Sequence, residues 1–125
     1  MKQTGTDKKI DNLEEICMEL IVNAGDARSC AFEAIESAKE QTFDQAGALL
    51  EKARQSSLKA HRAQTSLIHQ EACGKQVDIS LTLIHGQDHL MTALLAKDLA
   101  SELVNIYKEL AQVKRELAVL KGDRK

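Results

Sequence analysis

Three polar side chains, His85, Asp88 and His89, interrupt the apolar helical run Leu81-Thr82-Leu83-Ile84-His85-Gly86-Gln87-Asp88-His89-Leu90-Met91-Thr92. At 3.6 residues per turn the two histidines lie one turn apart on one face, and Asp88 is turned about 60° from His85, so the three form one cluster. An imidazole nitrogen can take up a phosphoryl group, and the phosphoramidate it forms is reactive enough to hand the group on, which suits a carrier better than a hydrolase. Such a site must be reachable by two partners and needs donors for the transferring oxygens; Gln87 and His89 are the candidates for that supporting role. Gly86, which adds no bulk beside His85, is expected to ease access. A metal site is a second chemistry, since histidines at i and i+4 can share an ion with Asp88. The order His-x-x-Asp-His lacks the glutamate placement of zinc peptidases, which argues against hydrolytic zinc. His61 and His69, eight residues apart with polar neighbours, show no ligand geometry.

The elements that carry this cluster follow from its surroundings. Leu81, Ile84, Asp88, Met91 and Leu95 form a seam with steps of three and four, and Asp88 stands where that seam calls for a hydrophobe. A carboxylate buried there must be protonated, hydrogen-bonded or bound to a cation. After a four-residue slip through Leu95, Leu99 and Leu103, the seam continues through Ile106, Leu110, Val113, Leu117 and Leu120 with strict three-four spacing. Such a pattern implies copies of the chain around an axis. In a purely structural trimeric coiled-coil module, the alternative to chemistry, Asp88 sets the register and the histidines are incidental.

The 125 residues contain no Pro and no Trp, only 2% are aromatic, and Ala, Leu, Glu, Lys and Gln are plentiful, so the chain is expected to be all-α. A net charge of −2 offers nothing to a nucleic-acid backbone, and no window has the roughly 18 uninterrupted apolar residues of a membrane span. Three cysteines without a Cys-x-x-Cys pair fit reduced thiols in the cytoplasm. Residues 1–11 are polar and expected to be frayed; helices are expected over about 12–39, 43–72 and 78–120, and 121–125 as a polar tail. Asp11 or Asn12 can cap the first helix, and Thr42-Phe43-Asp44-Gln45 has the form of a capping box for the second. Small residues around Asn23 to Arg28, with Gly25 among them, suggest tight packing or a face that lines a site. Leu49, Leu50, Leu58, Leu67 and Ile68 are expected inward on the second helix, and Glu51, Lys52, Arg54, Lys59 and Arg62 outward. The third helix, on the order of 65 Å long, outruns the other two and must project.

Residues 83–92, preceded by Met18-Glu19-Leu20-Ile21-Val22-Asn23-Ala24-Gly25-Asp26-Ala27-Arg28-Ser29, resemble the enzyme IIA component of the lactose/cellobiose (diacetylchitobiose) class of the sugar phosphotransferase system, over roughly residues 13–110. The resemblance implies a cytoplasmic phosphocarrier. His85 would accept phosphoryl from phosphorylated HPr and pass it to the cysteine of a IIB component, for uptake of cellobiose, diacetylchitobiose or lactose. The membrane enters only indirectly, through the IIC permease. It also implies a homotrimer of three-helix protomers with the third helices around the threefold axis, where Asp88 and its two copies hold one divalent cation, Mg²⁺ being expected. Gly86 stands where alanine is more usual, and the C-terminal heptads, which extend beyond the family's usual unit, are expected to form a longer trimer stem, with an interaction surface as the alternative.

Overall fold

A computed structural model describes residues 9–122. Three helices follow one another, α1 (Leu13–Lys39), α2 (Phe43–Ala72) and α3 (Leu81–Gly122), and pack as an antiparallel bundle in which α1 lies between its neighbours and α2 and α3 touch far less. The core is thin because alanine builds it. Ala24, Ala27, Ala31 and Ala34 of α1, Ala53, Ala60 and Ala63 of α2, and Ala93 and Ala100 of α3 are buried around a few larger side chains, Leu20, Leu90 and Val104. Leu58 and Ile68 are exposed rather than inward, because the small stripe Ala53, Ser56, Ser57, Ala60, Ala63 takes the inner face of α2. Ile10 is another departure. The polar N-terminal stretch contributes this side chain to a buried cluster with Cys17, Leu67 and Leu83, and Lys9 makes an isolated bridge to Gln76. The other residues expected to fray at either end lie largely outside the described ones.

The helix ends show which local signals operate. Asn12 precedes α1 with φ 60° and makes no side-chain capping bond. Thr42 does not cap α2 either; its hydroxyl donates to the Ser37 carbonyl at 2.9 Å, closing the preceding helix instead. The Thr42 and Gln41 amides donate to Ser37 and Ala38, which with Gln41 at φ 63° makes a left-handed C-terminal cap. Gly74 at φ 91° repeats that pattern at the end of α2, with its amide and that of Lys75 donating to Glu71 and Gln70. α3 starts at Leu81 rather than at Asp78, because Ser80 Oγ accepts the Leu83 amide at 3.1 Å and so supplies the cap. It runs on through Gly122, past the expected end at 120.

Cys17 and Cys30 are buried, and burial pushes both thiols up, with Glu14 adding to it at Cys17 and Asp26 at Cys30. The outward charges of α2 are solvated, although hydrogen bonds from Arg54, the nearer at 2.6 Å, hold the Glu51 carboxyl at about 2. No helix among the described residues is long and apolar enough to cross a membrane.

Gln41 is a non-glycine residue held in the left-handed region, where a Cβ is disfavoured by about 1–2 kcal/mol. Gln41→Gly is therefore expected to stabilise the fold by about 1 kcal/mol, read as a rise in the thermal midpoint followed by circular dichroism. A fall would show that the Gln41 side chain makes a contact that outweighs its backbone.

Candidate functional site

α3 has two apolar faces, and the site lies on the flank between them. Leu83, Gly86, Leu90, Ala93, Ala100, Val104 and Ala111 turn into the bundle. Leu81, Ile84, Met91, Leu95, Leu99, Leu103, Ile106, Leu110, Val113, Leu117 and Leu120, the residues of the seam, are all exposed. Asp88, on that seam, is exposed too. The buried position expected for its carboxylate is therefore not in the chain's own core: the bundle takes the opposite face of α3, and no described residue of this chain covers the seam. Among the described residues the Asp88 carboxylate accepts no hydrogen bond and enters no ion pair.

His85 is exposed and His89 half-buried. Their Nε2 atoms stand 3.0 Å apart and the rings meet edge to face with centroids 4.3 Å apart. At that distance one nitrogen carries the hydrogen and the other offers its lone pair. The helix backbone beneath them is held by further bonds, since Thr92 Oγ1 donates to the carbonyls of Asp88 and His89 at 2.9 and 3.2 Å. No group of three or more His, Cys, Asp or Glu side chains among the described residues is placed to hold a metal within one chain. His85 and His89 lie on the flank of α3 beside Asp88 on the seam, but among the described residues one chain does not gather them around an ion.

Gln87 sits elsewhere. Two residues on from His85, it is turned about 200° around the helix, toward α2. There its Oε1 accepts from Gln64 Nε2 at 2.5 Å. Gly86 also faces inward: a Cβ built there would meet Leu20 Cδ2 at 2.9 Å and Ile21 Cγ1 at 3.5 Å. Its smallness serves the close approach of α1 and α3 beneath the histidines, not access to His85 from outside. Gly25 shows the reverse, since a Cβ added there would have nothing within 4 Å, so no element of this chain explains it by contact. Nearby, Ser56 Oγ donates to Asp26 Oδ2 at 2.5 Å, Asn23 Nδ2 donates to the Glu19 carbonyl at 2.8 Å, and Arg28 lies over the Phe32 ring at 5.8 Å. Ser56 and Gln64 do not stand out in the sequence; both act through partners on another helix, which leave no spacing signal. A shallow groove of about 280 Å³ between α2 and α3, lined by Gly47, Leu50, Arg54 and Lys97 among others, contains neither histidine.

Comparison with known proteins adds to this geometry. Residues 15–108 match the family described as the lactose/cellobiose-specific IIA subunit of the PTS system. The chain is 48% identical over 99 residues to the lactose-specific EIIA component of Staphylococcus epidermidis, covering 79% of this chain and 95% of that protein. It is 41% identical over 105 residues to the N,N'-diacetylchitobiose-specific EIIA component of Escherichia coli, covering 84% and 90%. In structure it is similar to the cellobiose-specific enzyme IIA from Bacillus anthracis, with a TM-score of 0.79 and 43% identity over 82% of this chain and 94% of that one. It is also similar to a chain in the solution structure of the IIA(Chitobiose)–HPr complex of Escherichia coli, with a TM-score of 0.68 and 39% identity over 82% and 99%.

The Gln64–Gln87 bond ties α2 to α3, the pair of helices with least mutual contact. Single replacements by Ala are each expected to lower stability by about 1 kcal/mol, and a double-mutant cycle to give a coupling of about 0.5–1.5 kcal/mol by urea denaturation. Full additivity would show that the two amides act independently.

Proposed function

The chain belongs to the lactose/cellobiose-specific IIA family of the sugar phosphotransferase system, and from that membership we propose that it is a phosphocarrier working through His85. The observation that carries the reading is an exposed imidazole on a continuous helix with a second imidazole nitrogen 3.0 Å from it. In the first transfer a lone pair on a His85 ring nitrogen attacks the phosphorus of phosphorylated HPr. The new N–P bond forms as the bond to the donor's nitrogen breaks, and the electron pair leaves with the donor ring. In the second, the thiolate of a IIB cysteine attacks that phosphorus and the pair returns to His85. The His89 N–H is close enough to donate to a phosphoryl oxygen held on His85, a positioning and charge-stabilising role. Gln87 has no such reach within one chain, because α2 holds it. HPr as donor is supported by the complex formed by the chitobiose relative. The sugar is a disaccharide of the cellobiose, diacetylchitobiose or lactose kind, on the specificities of the relatives.

The outward seam of α3 supports the homotrimer that the resemblance implies. With three copies around an axis, the exposed Leu and Ile side chains cover one another and three Asp88 carboxylates converge. A set of carboxylate oxygens fits a hard cation such as Mg²⁺, and the ion would relieve their mutual repulsion. His85, on the flank of that seam, then faces the neighbouring protomer, and the small residues around Asn23 to Arg28 of a first helix complete the site. Localisation in the cytoplasm follows from the phosphoryl donor.

Intact-protein mass spectrometry after incubation with phosphoenolpyruvate, Enzyme I and HPr tests the carrier role. Wild type is expected to gain one acid-labile phosphate, His85→Ala none, and His89→Ala to gain it more slowly, by up to the roughly 100-fold that one lost oxyanion donor costs. Absence of phosphate on wild type would leave a structural trimeric module as the surviving reading. For the axis, Asp88→Leu is expected to keep a trimeric mass by light scattering and to lose any dependence of Tm on Mg²⁺. A monomeric Asp88→Leu would contradict the assignment of that residue.

A further inference from the structure

The match to the family ends at residue 108, and the last part of α3 beyond it has no cover from the chain's own bundle among the described residues. Ala111 is the last buried residue, and every described residue from 112 to 122 is exposed although helical. Unsupported by the bundle, about 11 residues of helix project by about 16 Å. A bare helical end of that length is marginal in water unless another helix packs on it.

Its residue pattern identifies what packs. Counting the seam as a coiled coil puts Leu103, Leu110 and Leu117 at a and Ile106, Val113 and Leu120 at d. Leucine at a with a β-branched residue at d, as in the first two layers, shifts preference away from two strands and toward three or more. The flanking positions then hold Glu102, Glu109 and Glu116 at g, and Tyr107, Lys114 and Lys121 at e. In a parallel, in-register assembly each g side chain meets the e side chain five residues on in the next copy. Glu109 then faces Lys114 and Glu116 faces Lys121, opposite charges both times. An antiparallel neighbour would set g against g and e against e, glutamate against glutamate and lysine against lysine. Within the chain these four residues enter no ion pair among the described residues; Glu116 only accepts Gln112 Nε2 at 3.3 Å.

We propose that residues 109–121 form a stem that holds copies of this same chain parallel and in register, Glu109 and Glu116 of one copy pairing with Lys114 and Lys121 of the next. The proposal rests on the homotrimer for the number of chains; the parallel direction that a threefold axis requires is also the one in which these charges pair favourably. Each exposed ion pair is weak, but every copy contributes two and the threefold arrangement repeats them, so the network discriminates direction and register more than it adds affinity.

Disulfide trapping in the full-length chain tests this. In a Cys73→Ser background, which leaves only the buried Cys17 and Cys30, Val113→Cys places a thiol at a d position and Gln112→Cys one on the outer face. Mild oxidation is expected to link two copies through Val113→Cys on a non-reducing gel and to leave Gln112→Cys unlinked. Adding Glu109→Lys and Glu116→Lys is expected to raise the concentration for half-assembly at low salt by about tenfold, and further adding Lys114→Glu and Lys121→Glu to restore it. A trimeric mass with no more linkage at 113 than at 112 overturns the stem alone, whether the seam is bare, antiparallel or covered by a foreign helix. Linkage without charge rescue overturns the pairing, and a monomeric mass overturns stem and trimer together.

Discussion

One helix cannot bury two opposite faces in one small bundle. α3 offers its own protomer a narrow stripe of Gly86, Ala93, Ala100 and Ala111 with Leu83, Leu90 and Val104 among them, and offers the outside a stripe of Leu, Ile, Val and Met that is longer and bulkier. The small stripe lets α1 come close: a Cβ added at Gly86 would stand only 2.9 Å from Leu20 Cδ2. Burying a Leu or Ile side chain is worth about 1.5–3 kcal/mol, so eleven seam positions left in water represent a large unrealised driving force for association. The rigidity, the length and the position of the histidines all depend on this division of α3 into two faces.

The histidines lie neither in the core nor on the seam. On the flank, His85 keeps its ring in solvent while the helix under it runs close to α1 at Gly86 and carries the Thr92 bonds to the carbonyls of Asp88 and His89. For the carrier role proposed for His85, an exposed ring on a continuous helix is suited, since two partner proteins would have to reach the same atom and little else would have to move. A deep pocket would hinder both transfers. The 280 Å³ groove between α2 and α3 lies away from the histidines.

Much of this is legible in the residues. Helix periodicity, the absence of Pro and the i, i+4 spacing of His85 and His89 place three helices and bring the two rings together. Reading fails where one-dimensional signals compete. Thr42 has the form of a cap for α2 but its hydroxyl serves the end of α1, and Ser80, inside the stretch expected to be helical from 78, takes the capping role from Asp78. Hydrophobicity points Leu58 and Ile68 inward, whereas closeness of approach selects the Ala and Ser stripe beside them. Gly86 reads as an outside residue because its neighbour His85 is outside, though adjacent helical residues point about 100° apart. Gln64–Gln87 and Ser56–Asp26 are beyond reach, because each joins two helices and neither residue type carries a signal of its partner.

The seam is where the proposed assembly would differ from a chain that folds alone. Its leucines repeat as regularly as any core, yet none is covered within the protomer. Sedimentation equilibrium of the unmodified chain over a range of micromolar concentrations tests this account most directly. A single species with the mass of three 13.8 kDa chains is the predicted result. A stable 13.8 kDa monomer across that range would contradict it, and would leave the outer face of α3 without a function in assembly.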